Sequence, residues 1–130
     1  GAAIAAKLVF RNRQVVSLCG DGGFWMRIAE LQTAMELGVA PVIVVLNDQA
    51  LSQIKIKQLK KGLAVVGTEF RGANYVKIAE AFGGKGISVG NEAEYGNALT
   101  EALHASTFTV IEARIDPSRY AAQFDAIREL

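Results

Sequence analysis

The sequence has few of the features that mark several large classes of protein. Its 130 residues include one cysteine, Cys19, so no disulfide can form within the chain. This composition is compatible with a reducing cytosol, and we expect a cytoplasmic location. No apolar stretch reaches the roughly 20 residues that cross a bilayer, and no signal-peptide pattern is visible.

Charge of one sign is also lacking. The 14 Lys and Arg residues nearly balance the 13 Asp and Glu residues, which leaves a formal net charge of +1. Such a balance provides no global electrostatic attraction to nucleic acid or to a membrane surface. We therefore expect neither of them as a partner.

Initiator methionine, internal repeats, low-complexity tracts and interdomain linkers are absent from the sequence as well. The chain begins at Gly1, inside an alanine-rich helical pattern. We expect residues 1–130 to form a single domain with a modest core, and to be a fragment of a longer multidomain protein.

Two apolar runs, each followed by a short acidic loop, organise the sequence. Residues 15–19 lead into the glycine-rich loop 20–23, and residues 42–46 lead into Asn47-Asp48. Both runs are rich in β-branched residues, as expected of parallel strands buried on both faces. Residues 29–38 between them have a helical pattern that ends on glycine. This βαβ unit should place both strand ends at the same edge of a sheet.

The rest of the chain alternates between helical and strand patterns. Besides the strands at 15–19 and 42–46, the pattern predicts strands at 86–89 and 108–115, and helices at 2–10, 75–82 and 92–105. Asn74 and Asn91 are the predicted N-caps of the last two helices, and Asp116 or Ser118 that of a final helix. This alternation predicts an α/β fold, a doubly wound parallel sheet with helices on both faces.

Three parts of the pattern are less regular. Residues 51–61 fit both a strand alternation and a helix spacing, so the sequence decides for neither. Residues 62–72 are predicted to be irregular. The helix after the glycine-rich loop is predicted to start near residues 24–26.

Asp21 and Asp48 are predicted to emerge side by side, at the edge where open α/β sheets bind ligands. Glycines let the neighbouring backbone turn sharply and approach a ligand, and the free N–H groups of the next helix favour phosphate. Two carboxylates beside amide donors suggest a cation that holds a phosphate. Mg²⁺ suits such a site, because it prefers oxygen ligands and seldom uses an all-protein cage.

The motif in which 24 residues separate Gly20-Asp21-Gly22 from Asn47-Asp48 resembles the diphosphate-binding motif of thiamine diphosphate (ThDP) enzymes. Four further segments resemble the acetolactate synthase and pyruvate decarboxylase-like branch of these enzymes: residues 29–34, 38–46, 76–83 and 111–117. The resemblance implies the ThDP-binding fold and a C-terminal diphosphate-binding domain. It also implies an enzyme that decarboxylates or carboligates 2-oxo acids.

The resemblance implies roles for individual residues. Asp21 and Asp48 would bind Mg²⁺, or Ca²⁺ or Mn²⁺, through their side chains, and Ala50 through its carbonyl. The family most often has Asn where Asp48 stands, so this chain carries an additional negative charge there. The implied cofactor-binding residues are Gly20, Asp21, Gly22, Gly23, Asp48, Ala50, Leu51 and Ser52. Among them the Gly22 and Gly23 amides would hold the diphosphate, while Leu51 and Ser52, with Gln53, would lie near the reactive end.

The resemblance also implies parts that this chain does not contain. The family activates its cofactor with a glutamate on a separate pyrimidine-binding domain, of the same or a second subunit. We therefore expect a homo-oligomer such as a dimer for the full-length enzyme, no catalytic residue on this chain, and no activity for the isolated chain.

Two alternatives remain open at this point. A non-catalytic Rossmann-like nucleotide-binding module would use the same sheet edge, but the first loop lacks the Gly-x-Gly-x-x-Gly pattern and its acidic partner. An assembly domain that has lost cofactor binding is the other alternative, against which the intact Asp21 and Asp48 argue.

Other noticeable residues have predicted structural roles. The lysines at 55, 57, 60 and 61 are interpreted as a solvated face, with contact to an anionic substrate or acyl-CoA as the alternative. We interpret Cys19 as a small buried filler, Phe24 and Trp25 as core residues, and His104 and Glu30 as structural or solvated.

Overall fold

The computed structural model describes residues 1–70 and 72–128. Within these residues, one sheet of four strands is surrounded by helices. The strands are β1 (Val16–Gly20), β2 (Val42–Asn47), β3 (Lys85–Val89) and β4 (Thr109–Arg114). The helices are α1 (Ala2–Val9), α2 (Asp21–Trp25), α3 (Glu30–Glu36), α4 (Ser52–Lys60), α5 (Tyr75–Ala81), α6 (Glu92–Leu103) and α7 (Tyr120–Arg128), with a 3₁₀ helix at Pro117–Arg119.

The sheet is entirely parallel, in the order β1-β2-β4-β3. Val42 of β2 pairs with Val16 of β1 on one side and with Thr109 of β4 on the other. At the other end of the ladder Gly20 pairs with Leu46. The two acidic loops therefore leave the sheet from neighbouring strands at one edge, as the βαβ pattern predicted.

Helices cover both faces of the sheet, which confirms the predicted α/β fold. Alternation along each strand divides its side chains between the faces, so that Val45 and Val110 point to one face and Val44 and Ile111 to the other. On the first face lie Ile4, Phe24, Leu31, Ala34, Tyr75 and Ala79, from α1, α2, α3 and α5. On the second face lie Ala98 and Ala102 of α6. Each fully buried aliphatic side chain contributes roughly 1.5–3 kcal/mol to folding.

The predicted burial of both faces holds for β2 but is wrong for β1. Val16 and Leu18 are 47% and 66% exposed. The reason lies in the sheet order, because β1 is an edge strand and α6 packs across β2, β3 and β4. An apolar run shows that a strand is hydrophobic, but not that a helix covers it.

Side chains at the predicted N-cap positions accept hydrogen bonds from backbone amides two or three residues ahead. Asn74 Oδ1 accepts a hydrogen bond from Lys77 N, and Asn91 Oδ1 accepts one from Glu94 N, both at 2.9 Å. The caps at Asn74 and Asn91 are thus confirmed. Asp116 Oδ1 likewise accepts from Ser118 N at 2.9 Å, and it caps the 3₁₀ helix Pro117–Arg119, which leads into α7.

The helix after the first loop begins earlier than predicted, at Asp21 instead of residues 24–26. It is also interrupted: turns over residues 26–29 separate α2 from α3. The ambiguous segment 51–61 is mostly helix α4, and no residue of α4 is buried. The segment 62–72 is irregular as predicted, apart from a bridge between Ala50 and Glu69, and its residue 71 lies outside the described residues.

None of the described helices combines the length and the apolar character that crossing a membrane requires.

Candidate functional site

The two predicted acidic residues meet at the edge of the sheet. Asp21 follows β1 directly and begins α2, and Asp48 follows β2. The Ala50 amide donates to Asp21 Oδ2 and to Asp48 Oδ1, at 3.2 Å in each case. Because the two oxygens share one donor, they lie no farther apart than twice that distance. The two carboxylates therefore lie next to each other at this edge of the sheet.

Asp21 is the most constrained acid of the site. Its side chain is only 4% exposed, and its Oδ1 accepts a hydrogen bond from Gly22 N at 2.7 Å. Burial raises the pKa of Asp21, the charge of Asp48 raises it further, and hydrogen bonds from the backbone amides of Gly22, Ala50 and Gln49 act in the opposite direction. The fold thus buries a carboxylate beside a second acid, an arrangement that a cation between them would stabilise.

Asp48 is half-buried and is held by the start of α4. Its Oδ2 accepts a hydrogen bond from Ser52 Oγ at 2.5 Å, while its Oδ1 accepts from Ala50 N. Ser52, predicted to lie near the reactive end of the cofactor, therefore contacts the second predicted metal ligand. Gln53, the next residue of α4, is exposed.

The predicted glycines differ in their surroundings. Gly20 ends β1, and nothing lies within 4 Å of the place where its Cβ would be. Gly23 is half-buried in α2, with Cys19 Cβ as its nearest neighbour at 3.9 Å. Gly22, in contrast, is covered by the Leu51 side chain. Gly20 and Gly23 therefore leave room beside the backbone, whereas Gly22 packs against Leu51 of the second loop.

A segment that the sequence analysis did not assign to the site holds the second loop in place. Leu51 N donates to the Thr68 carbonyl at 2.7 Å, and Phe70 N donates to the Gln49 carbonyl at 2.8 Å. Thr68 is 2% exposed. No local pattern in residues 62–72 indicates this pairing, because it depends on backbone groups that meet only in the folded chain.

An aromatic cluster of Phe24, Trp25 and Tyr75 packs α2 against the start of α5. Phe24 and Trp25 pack against Tyr75, with ring centroids 5.4 and 5.5 Å from it. Trp25 Nε1 donates to the Tyr75 hydroxyl at 3.1 Å. Burial raises the pKa of Tyr75 to about 12. Phe24 and Trp25 are thus packing residues, as predicted, and Tyr75 is a supporting residue that the sequence did not single out.

The surroundings of the remaining candidate residues fit structural roles. Lys55 pairs with Glu69 at 2.8 Å, and Lys60 pairs with Asp125 of α7, which fits a solvated face. Burial raises the pKa of the Cys19 thiol, as suits a half-buried filler. His104 is exposed, with Nδ1 2.8 Å from the Thr100 carbonyl, and Glu30 pairs with Arg27 at 3.7 Å.

The donor set fits a metal ion that is shared with a ligand. In the part of the chain that the structure describes, no three His, Cys, Asp or Glu residues come together as a metal cluster. Two carboxylates cannot complete the octahedron of Mg²⁺, so carbonyl groups, water or a bound ligand would have to supply the other oxygens. The site thus offers two carboxylate ligands to a divalent ion and leaves its other positions to groups of that kind.

Comparison with protein families gives a match over most of the chain. The family model described as the thiamine pyrophosphate enzyme, C-terminal TPP binding domain, matches residues 1–113.

Individual proteins are similar over a comparable span. An acetolactate synthase of Bacillus subtilis is 34% identical over 116 residues, which are 89% of this chain and 20% of that protein. A 3D-(3,5/4)-trihydroxycyclohexane-1,2-dione hydrolase of Geobacillus thermodenitrificans is 29% identical over 129 residues, 88% of this chain and 20% of that protein. The chain thus spans about a fifth of the length of these curated relatives.

A solved structure is similar as well. The thiamine diphosphate-dependent 4-hydroxybenzoylformate decarboxylase of Rhodococcus jostii RHA1 superposes with a TM-score of 0.82 at 29% identity. The match covers 88% of this chain and 22% of that one.

Proposed function

The chain belongs to the family of C-terminal thiamine pyrophosphate-binding domains, and from this membership we propose that it binds the diphosphate of ThDP through a divalent metal ion. The observation that carries the proposal is the convergence of Asp21 Oδ2 and Asp48 Oδ1 on the Ala50 amide, 3.2 Å from each. Two carboxylates at one sheet edge, next to the first turn of α2, provide oxygen ligands for the metal.

Each residue of the site has a proposed part in binding. Asp21, at the rigid end of β1, would be the first charged ligand of Mg²⁺, Ca²⁺ or Mn²⁺. Asp48 would be the second side-chain ligand, and the Ala50 carbonyl would be the backbone ligand. The Gly23 amide would donate to the diphosphate, as would the Gly22 amide on exchanging its present bond to Asp21 Oδ1. Gly20, with open space where a Cβ would be, would let the ligand approach the backbone. Leu51 and Ser52 would lie near the reactive end of ThDP.

The chain would thus be one part of an enzyme that decarboxylates or carboligates 2-oxo acids, in the manner of acetolactate synthase. When bound, ThDP supplies the carbanion chemistry of such reactions. The residues of this chain bind and orient the diphosphate, and none is proposed as catalytic. A pyrimidine-binding domain, of the same or a second subunit in a cytoplasmic homo-oligomer, would supply the activating glutamate.

Calorimetric titration with ThDP tests the proposal. We expect binding in the presence of Mg²⁺ and little or none after addition of EDTA, because the metal screens the diphosphate from Asp21 and Asp48. NAD serves as the comparison ligand, since its retention in place of ThDP would support a Rossmann-like module. ThDP binding that is unaffected by EDTA would contradict the metal-mediated site.

A second measurement addresses the part that other domains play. The isolated chain with ThDP and Mg²⁺ is expected to release no CO₂ from pyruvate or benzoylformate, since it lacks the activating glutamate. Steady CO₂ release in the absence of any other protein would show that this chain carries catalytic groups of its own.

A further inference from the structure

We propose that Asn47 and Glu112 are positioning residues, which form a hydrogen-bonded pair that holds the second acidic loop in its metal-binding conformation. This inference rests on the proposed function of the site and adds two residues to it. Neither of them is among the proposed ligands. Asn47 ends β2 and is 5% exposed, and Glu112 lies on the neighbouring strand β4.

Asn47 is held at three points. Its Nδ2 donates to Glu112 Oε1 at 2.6 Å, and its Oδ1 accepts from Gln49 N at 3.0 Å. Its backbone carbonyl accepts from Ile115 N at 3.1 Å, at the end of β4. Asn47 therefore bonds to Glu112 and Ile115 through its side chain and its backbone, and its Oδ1 bonds to the loop at Gln49.

The carboxylate of Glu112 decides which way the Asn47 amide points. An ionised carboxylate only accepts hydrogen bonds, whereas an amide has one donating and one accepting end. Glu112 must therefore face Nδ2, which leaves Oδ1 directed at the Gln49 amide. With an apolar side chain in place of Glu112, only the Gln49 amide would favour this orientation of the Asn47 side chain over the flipped one.

The bond to Gln49 matters because the loop is strained there. Gln49 has a φ of +62°, and it is the one non-glycine residue with a positive φ in residues 1–70 and 72–128. Residues with a Cβ adopt this left-handed region at a cost, so an additional contact is needed to maintain it. Asn47 Oδ1 provides such a contact, together with the bond from Phe70 N to the Gln49 carbonyl.

The backbone conformation of Gln49 directs the Ala50 amide into the site. Ala50 N donates to both Asp21 and Asp48, so its orientation determines how the two carboxylates converge. The order of dependence runs from Glu112 to the Asn47 amide, then to the Gln49 turn and finally to the carboxylate pair. Groups that orient metal ligands typically change metal affinity by about 10- to 100-fold when they are removed.

The variants Asn47→Ala, Glu112→Leu and their combination test this order, with Mn²⁺ affinity measured by electron paramagnetic resonance in the presence of ThDP. Each single variant is expected to weaken Mn²⁺ binding about 10- to 100-fold. The double variant should lose little more, because the two residues act through one hydrogen bond. Glu112→Gln keeps an accepting oxygen for Nδ2 and should bind Mn²⁺ nearly as well as the unmodified chain.

Val44→Ala is the matched control for lost stability. Val44 is buried on the same strand but faces α6, away from the loop. This variant should lower the thermal midpoint and leave Mn²⁺ affinity unchanged, at a temperature where circular dichroism shows every variant folded. A comparable loss of affinity in Val44→Ala would overturn the proposal, and so would unmodified affinity in Asn47→Ala or Glu112→Leu.

Hydrogen exchange at the Gln49 amide in the metal-free chain gives a readout that does not depend on metal binding. We expect faster exchange in Asn47→Ala and Glu112→Leu than in Glu112→Gln. Unchanged protection in the first two would refute the positioning role. If the unmodified chain failed to bind Mn²⁺ in the presence of ThDP, the proposed function would be refuted, while the exchange rates would still decide for or against the pair.

Discussion

The side chain of Leu51 lies over Gly22 so closely that a Cβ on Gly22 would come within 2.5 Å of Leu51 Cδ2. Gly22 lies in the first turn of α2, next to Asp21, and Leu51 lies in the loop after β2, so this contact packs the two halves of the site together. The absence of a side chain at Gly22 therefore serves the packing of the protein itself, in addition to any approach by a ligand.

Replacing Gly22 by Ala should consequently disturb the second loop. The added methyl group must displace the end of the Leu51 side chain, which can rotate, so the loss of unfolding free energy should be at the low end of the roughly 1–3 kcal/mol typical of overpacking. Denaturant unfolding of the metal-free chain measures this cost. Gly23→Ala is the control, because the nearest atom to its Cβ would be at 3.9 Å. Equal destabilisation of the two variants would show that the Leu51 contact is not responsible.

Asp21→Ala is expected to weaken ThDP binding in the presence of Mg²⁺. Losing one charge-assisted ligand should cost about 2–4 kcal/mol, which corresponds to roughly 30- to 1,000-fold in affinity. Calorimetric titration measures the change. Affinity equal to that of the unmodified chain would remove Asp21 from the site.

Asp48→Asn should have a much milder effect in the same titration. The amide keeps an oxygen for the metal or for the Ala50 amide, and the Ser52 hydroxyl, which now donates to Asp48, can rotate to accept from the new NH₂ group. If this variant were as damaging as Asp21→Ala, the negative charge of Asp48 would be essential, and not merely its oxygen.

The raised pKa of Asp21 predicts how stability depends on pH in the metal-free chain. The folded state binds this proton more tightly than the unfolded state, whose carboxyl has an ordinary pKa near 3.8. Lowering the pH through the raised pKa therefore stabilises the folded chain relative to an Asp21→Asn variant. Unfolding free energies of both proteins, measured from pH 7 down to pH 4, should show this relative gain, and a constant difference would contradict it.

Added metal should reverse that trend. A divalent ion binds the ionised form of Asp21, so protons compete with it. The stabilisation that Mn²⁺ gives to the folded chain should therefore decline as the pH falls through the raised pKa. Thermal midpoints with and without Mn²⁺ over the same pH range provide the measurement, and a metal effect independent of pH would argue against Asp21 as a ligand.

Tyr75→Phe tests the aromatic cluster beneath α2. The substitution removes the acceptor of the Trp25 indole N–H and should cost about 1 kcal/mol at neutral pH. Since burial raises the pKa of Tyr75 from 10.0 to about 12, the unfolded chain loses this proton first as the pH rises. The unmodified chain should thus lose stability between pH 10 and 12 relative to Tyr75→Phe. Tyr95→Phe, on α6 at the other face, is the control variant and should not remove this decline.

Much of the fold could be predicted because its signals are local. The four strands were expected within one or two residues of their observed ends, since each is a short apolar run bounded by turn residues. The caps at Asn74, Asn91 and Asp116 were also predictable, because a side chain that bonds an amide two or three residues ahead needs only the neighbouring sequence.

Local signals were insufficient where two periodicities overlap or where burial depends on sheet order. Residues 52–60 carry apolar residues at both spacings, and the helix α4 that they form buries no residue that could have decided between them. Strand β1 carries Val16 and Leu18 as a buried strand would, yet its place at the edge leaves Leu18 largely exposed. Edge and centre are properties of the assembled sheet and have no counterpart in one strand's sequence.

Two short motifs were enough to place two acidic loops at one edge of the sheet, because parallel strands joined by a helix end on the same side. How those loops are held depends on contacts that form only in the folded chain. Asn47 and Glu112 are 65 residues apart, and Asp21 and Ala50 are 29 residues apart, so their hydrogen bonds form only after the sheet has brought them together. In the sequence, Glu112 is noticeable only as a single acid within the apolar strand β4. That Asn47 is its partner follows from the order of the strands in the sheet. Short motifs thus indicate which chemical groups the site contains, while its geometry depends on contacts between distant residues.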